Sequence, residues 1–344
     1  STDLADIENT STSLVVTDLS ATTYYRAIVT SGVCSSATSA TATVTVSPLS
    51  VAGTASGDTT VCQTANSVTV RLAGNTGTIQ WQSATLNGTF ANITGATTAT
   101  YTSATRLNET TRFRAVVTSG VCSADTSNIV TATVSPSAIG GTISGDDTVC
   151  TGTNSTVLNL AGFTGTIAKW QYATSSNFAG AVDIDSSAGL TSYTANNLTA
   201  TTYYRAVLTN GVCIAYSSTG TVTVDQLSLG GSVSGSKSVC TGGNTSVLTL
   251  SGHRGTIQWQ SSTDNINFTD IAGATNTVYN PVNLTSTTHY RAVVTSGVCP
   301  AETSASVTVT VSPATVGGTL SGGKTVCTGT NTTTLTLNGY TGDV

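Results

Sequence analysis

Methionine is absent from this 344-residue chain, only 8% of its residues are charged, and histidine occurs twice. Each shortage closes off a class of function. Eleven basic residues against sixteen acidic ones leave no cationic footprint for a nucleic-acid backbone, so no nucleic-acid partner is expected. No apolar run is long enough to span a bilayer, so no membrane insertion is expected in this segment. The two histidines, His253 and His289, fall in one stretch of the chain and cannot supply a recurring metal or catalytic set. No pair of carboxylates recurs as a glycosidase would need, and the many serines and threonines lack a matching His/Asp set. The chain reads as a non-enzyme with no metal and no cofactor.

What remains is Thr, Ser, Ala, Val and Gly. Disorder goes with low hydrophobicity and high net charge, whereas here 38% of residues are hydrophobic and the net charge is only −5. Abundant β-branched residues point to strands instead.

Internal repetition settles the architecture. TTYYRAIVTSGVC at 22–34 returns as TTRFRAVVTSGVC at 110–122, TTYYRAVLTNGVC at 201–213 and TTHYRAVVTSGVC at 287–299. A second block, TVCQTANSVTVRLAGNTGTIQWQ at 60–82, recurs at 148–171 and 238–260, and its opening returns at 325–342. Boundaries after Pro48, Pro136, Gln226 and Pro313 give a partial repeat at 1–48, whole repeats at 49–136, 137–226 and 227–313, and a partial one at 314–344. Within a repeat the apolar residues alternate with period two. Val70 and Leu72 share one face, as do Leu158 and Leu160, and Leu248 and Leu250. Ile79 and Trp81 share the next strand, followed later by Phe113, Ala115 and Val117. Repeat 3 carries one extra residue between Ile167 and Trp170, which predicts a β-bulge. About seven short strands around one central Trp describe a sandwich of the immunoglobulin or fibronectin III kind. Short linkers predict an extended rod of all-β domains.

Eight cysteines, two per period, imply an oxidising and therefore extracytoplasmic setting. Two pairings are open. Within each repeat the bridges would be Cys62–Cys122, Cys150–Cys213 and Cys240–Cys299, leaving Cys34 and Cys327 to partners outside these residues. Across boundaries they would be Cys34–Cys62, Cys122–Cys150, Cys213–Cys240 and Cys299–Cys327. The within-repeat set is preferred, because a bridge closing a long loop removes the most entropy from the unfolded chain.

Arg26, Arg114, Arg205 and Arg291 recur at one outward strand position in a chain poor in cations. They are candidate surface contacts for an anionic glycan or neighbouring fibre, against the plainer reading of side chains lying over the sheet beside Gln80 or Gln82. The tryptophans read as core. Asp183 and Asp185, or Asp264, Asn267 and Asp270, could lend oxygens to calcium, but neither group fits the EF-hand pattern. Sequons stand at Asn92, Asn154, Asn197 and Asn283.

Together, TVCTGTN with its following LTL, GTI before WQ, LTATTYYRAVLTNGVC and TVTV resemble the Ig-like repeats of very large Bacteroidetes surface proteins. These are secreted by the type IX system and include adhesins of the SprB gliding-motility type. The resemblance implies an extracellular, cell-surface filament that adheres to surface polysaccharide or substratum and engages a cell-surface motility machinery. It also implies O-glycosylation at Asp-Ser/Thr-x motifs, matched at Thr59 and Thr148. Two alternatives stay open: a multivalent carbohydrate- or protein-binding array, and accessory repeats of a secreted enzyme.

Overall fold

A computed structural model describes residues 4–64 and 66–344; residues 1–3, at the head of the first partial repeat, lie outside the description. The described residues form strands and turns with no helix, so none is long and apolar enough to cross a membrane. Contacts divide the chain into two compact units. One comprises Ser1–Ile139 with Thr164–Thr166 and Thr209–Ala215; the other holds Gly140–Phe163, Ile167–Leu208 and Tyr216–Val344.

Each whole repeat is a sandwich of two sheets. In the first unit a three-stranded sheet places Thr69–Ala73 between Thr54–Ser56 and Thr100–Thr102. The facing sheet orders Thr59–Cys62, Val130–Ser135, Thr111–Thr118, Thr78–Thr85 and Ala91–Asn92, with Asp125–Thr126 pairing off its path. The other two whole repeats have the same two sheets. Among the described residues nine strands appear in each whole repeat, two more than the periodicity shows. One of the additional strands arises because the first strand is split.

That split begins at a glycine. The chain leaves the small sheet at Ser56, turns at Gly57 (φ 123°), and joins the large sheet as Thr59–Cys62, parallel to the last strand with Ser135 opposite Cys62. Gly145 (φ 101°) and Gly235 (φ 113°) turn the chain at the equivalent points. A Cβ there would strike the carbonyl of Thr69, Val157 or Val247, so the switch needs glycine for space as well as for conformation.

The cores follow the alternation. Trp81, Trp170 and Trp259 are fully buried, and each indole Nε1 donates to a backbone carbonyl: Thr98 at 2.9 Å, Leu190 at 2.8 Å and Asn276 at 2.8 Å. The inward sets Phe113/Ala115/Val117, Tyr204/Ala206/Leu208 and Tyr290/Ala292/Val294 are all buried against them. Ile167 and Trp170 are both buried although three residues apart, as an extra bulged residue requires. The partial repeats pair Thr23–Tyr25 with Ala42–Val44 and Val316–Ser321 with Thr336–Thr341, but add nothing to the three cores.

Burial pushes the Tyr204 hydroxyl upward and that of Tyr290 up to about 12, with nearby tyrosines adding to the effect. An unfolded tyrosine gives up its proton near 10. Between these values the unfolded chain holds fewer protons, so stability is complete below about pH 10 and falls as pH rises toward 12. Urea midpoints measured from pH 8 to pH 12 should therefore decline above 10, and Tyr290→Phe should flatten the decline. A flat profile in the parent chain would show that these hydroxyls are not shielded.

Candidate functional site

The feature most open to chemistry is the set of cysteines. The parallel strand Thr59–Cys62 delivers Cys62 to the end of the sheet where Val130–Ser135 finishes. Cys122 follows the hairpin turn at the far end of Thr111–Thr118, where the first turn of that hairpin has Cys122 N–H donating to the Ser119 carbonyl at 3.0 Å. Eight residues of extended strand separate the two ends, roughly 25 Å at about 3.4 Å per residue. A disulfide needs Cα atoms within about 7 Å, so the expected Cys62–Cys122 bridge cannot form. Cys150–Cys213 and Cys240–Cys299 fail for the same reason.

The cross-boundary set is not formed either. Cys62 is bonded to Cys213, with Cα atoms 5.0 Å apart, and Cys150 to Cys299, with Cα atoms 4.8 Å apart. Each bridge thus joins the first cysteine of one repeat to the second cysteine of the next, 151 and 149 residues on. Each also lies inside one compact unit. Cys34, Cys122, Cys240 and Cys327 are free. The same rule would give Cys34 and Cys122 a first-type partner and Cys240 and Cys327 a second-type partner, and residues 1–344 hold none of these.

The hairpin tip that carries the second cysteine is fitted to the end of the preceding repeat. Val212 N–H donates to Ser135 Oγ at 3.4 Å and Cys213 Sγ lies 3.4 Å from the Ser135 carbonyl. Val298 N–H donates to Asp225 Oδ2 at 2.9 Å and Cys299 Sγ lies 3.5 Å from the Asp225 carbonyl. Free Cys122 occupies the matching place, 3.6 Å from the Ser47 carbonyl and 3.4 Å from that of Pro48. Gly120, Gly211 and Gly297 at these tips all have φ between 52° and 59°. A Cβ on any of them would collide with Ser47, Ser135 or Asp225.

An asparagine four residues after the first cysteine secures the other side, and nothing in the periodic reading marks it. Asn154 Nδ2 donates to the Cys150 carbonyl at 2.9 Å and the Leu198 carbonyl at 2.8 Å, while its Oδ1 accepts from Leu198 N–H at 2.8 Å. Asn66 and Asn244 make the same three bonds. The signal was available as Cys-x-x-x-Asn, repeated at Cys327 and Asn331. The Asn154 amide is thereby occupied as a sequon, whereas Asn197 and Asn283 are exposed.

Three of the four recurring arginines lie over the sheet. Arg114, Arg205 and Arg291 are half-buried, and each Nε donates to a glutamine Oε1 at 2.8 Å, on Gln82, Gln171 and Gln260. Each guanidinium also lies over an aromatic ring: Phe90 at 4.2 Å, Phe178 at 4.3 Å and Phe268 at 4.0 Å. Arg26 is exposed. Thr59 and Thr148 are both exposed on the parallel edge strand, yet they are not equivalent. Thr59 stands opposite Ala132, whereas Asp147 holds the matching place opposite Val222 and Thr148 comes one position later. A one-residue shift on a strand turns the side chain to the other face.

Three of the four carboxylates weighed for calcium are engaged internally. Ser262 Oγ, with the N–H groups of Asn267 and Ile266 and the Asn267 side chain, holds Asp264 well below the usual carboxylate range. Asp183 is lowered by Lys169 and then Gln171. Asp270 Oδ1 accepts from Gln260 at 2.8 Å. Among the described residues no three His, Cys, Asp or Glu side chains gather as metal ligands would.

Two outcomes follow. Non-reducing peptide mapping of the oxidised chain should recover Cys62 linked to Cys213 and Cys150 to Cys299, and recovery of Cys62 with Cys122 would refute the arrangement. Arg114→Ala should lower stability by about 1 kcal/mol, from the ring contact and the hydrogen bond together; an unchanged urea midpoint would show that the cap contributes nothing.

Comparison with known proteins adds the following. The extracellular domains 3–5 of Drosophila OTK align at 10% identity, covering 77% of this chain and 97% of that one, with a TM-score of 0.32. Sidekick-1 immunoglobulin domains 1–4 align at 12% identity over 84% of this chain and 82% of that one, with a TM-score of 0.34. The four N-terminal Ig domains of Dscam1 isoform 6.9 align at 10% over 86% and 80%, with a TM-score of 0.29. Alignments this distant carry no inference about function, and the Ig-like assignment stands on the paired sheets themselves. No curated protein matches the sequence. One family matches four times, at residues 1–48, 51–136, 139–226 and 229–313, and the chain belongs to it: Domain of unknown function (DUF8696).

Proposed function

We propose that this chain is a structural stalk segment of a secreted, cell-surface adhesin, carrying mechanical load between an anchor and whatever does the attaching. The observation that supports this most is the covalent coupling of consecutive sandwiches by Cys62–Cys213 and Cys150–Cys299. A bridge closing about 150 residues removes unfolded-state entropy worth on the order of 5 kcal/mol. A protein whose task was chemistry within one domain would gain little from tying each domain to the next. Repetition of one sandwich, with its linkers held to a few residues, suits the same end.

Disulfides favour an oxidising compartment, and an extracellular location follows from that in this reading. The resemblance to giant Bacteroidetes adhesins supports the finer version: type IX secretion, attachment to polysaccharide or substratum, and gliding. Exposed Thr59 and Thr148 are open to O-glycosylation there. The binding-array alternative is less well supported, because three of the four recurring arginines that would serve it are half-buried under aromatic and glutamine partners.

Rotary-shadowed electron microscopy of the oxidised chain should show thin rods of uniform length. Compact globular particles would overturn the stalk.

A further inference from the structure

Tension on an ordinary sandwich enters at its first strand and leaves at its last, so the hydrogen bonds between them resist in shear. Here the covalent connections differ. Cys34 to Cys62, Cys122 to Cys150 and Cys299 to Cys327 each span 28 residues, and Cys213 to Cys240 spans 27. Every such segment is the last strand of one repeat, the linker, and the split first strand of the next. Residues 122–150, for instance, contain Val130–Ser135, Thr142–Ser144 and Asp147–Cys150.

We propose that the crossed bridges join these segments into two interleaved covalent threads that carry tension past the folded cores. One thread runs from Cys34 to Cys62, across the bridge to Cys213, and on to Cys240. The other runs from Cys122 to Cys150, across to Cys299, and on to Cys327. In repeat 3 the parallel pair Asp147–Cys150 and Gly220–Asp225 contains one strand of each thread. Load enters and leaves the same strand, so covalent bonds bear it and the ladder between the strands is not sheared. Residues 151–212, which hold Trp170, form a loop off both threads. The threads deepen the stalk reading and rest on it for their purpose, though not for their geometry.

The experiment pulls single molecules of the full chain through thioether handles on Cys34 and Cys240, with Cys122→Ser and Cys327→Ser to direct the attachment. Oxidised, the path between handles is 55 residues, and extension should stop at about 200 Å. With a phosphine reductant the path is 206 residues, and extension should reach about 740 Å. Cys62→Ser with Cys213→Ser should lengthen the limit without reductant to about 630 Å, because Cys150–Cys299 still holds the path to 175 residues. Cys150→Ser with Cys299→Ser should leave the short one, and because the limit is covalent it holds even if a repeat has unfolded. A long extension in the oxidised parent, or lengthening in the Cys150/Cys299 double variant, overturns the threads. Rods in the microscope together with either result would discard the threads and keep the stalk; short extension from compact particles would do the reverse.

Discussion

A four-residue parallel pairing decides most of what is distinctive here. Thr59–Cys62 lies beside Val130–Ser135, and the equivalent pairs recur at Asp147–Cys150 and Lys237–Cys240. Had the first strand stayed in the small sheet, its cysteine would not have been carried to the end of the domain that adjoins the next one. The switch between sheets depends in turn on a backbone conformation that only glycine takes without strain. A residue with no side chain therefore determines where a covalent bond to another domain can form.

The other recurrent polar contacts serve the same place. Asn66, Asn154 and Asn244 fasten the loop beyond the first cysteine to a leucine on the far side of the sandwich. The tip glycines let the second cysteine lie flat against the preceding strand end. Away from the junction, Ser127, Ser217 and Ser304 each give Oγ to an alanine N–H at 2.9 Å in the strand beside Trp. The surface has few charges, and short neutral side chains satisfy much of the backbone instead. Cores of this size need little else, since each Trp finds a carbonyl for its one donor.

The strands and cores were legible because burial on a sheet imposes period two, and the alternation at Val70 and Leu72 or at Tyr204, Ala206 and Leu208 survives in sequence. The cysteine pairing was not. Periodicity says which face a residue occupies, and it says nothing about which end of the sheet a strand delivers it to. A strand that changes sheets breaks no alternation; its trace is a glycine five residues before the cysteine, at Gly57, Gly145, Gly235 and Gly322. The arginine caps were half legible. The glutamine partners could be guessed from register, whereas Phe90, Phe178 and Phe268 sit in loops beyond the strand and come over the guanidinium only in three dimensions.

The crossed connectivity also bears on damage. A protease that cuts once between Cys150 and Cys213 separates the backbone into two pieces, but the first piece still holds Cys299 through Cys150 and the second still holds Cys62 through Cys213. The severed repeat stays spliced to both neighbours. One nick in the interior of that repeat is therefore a local injury without loss of covalent continuity.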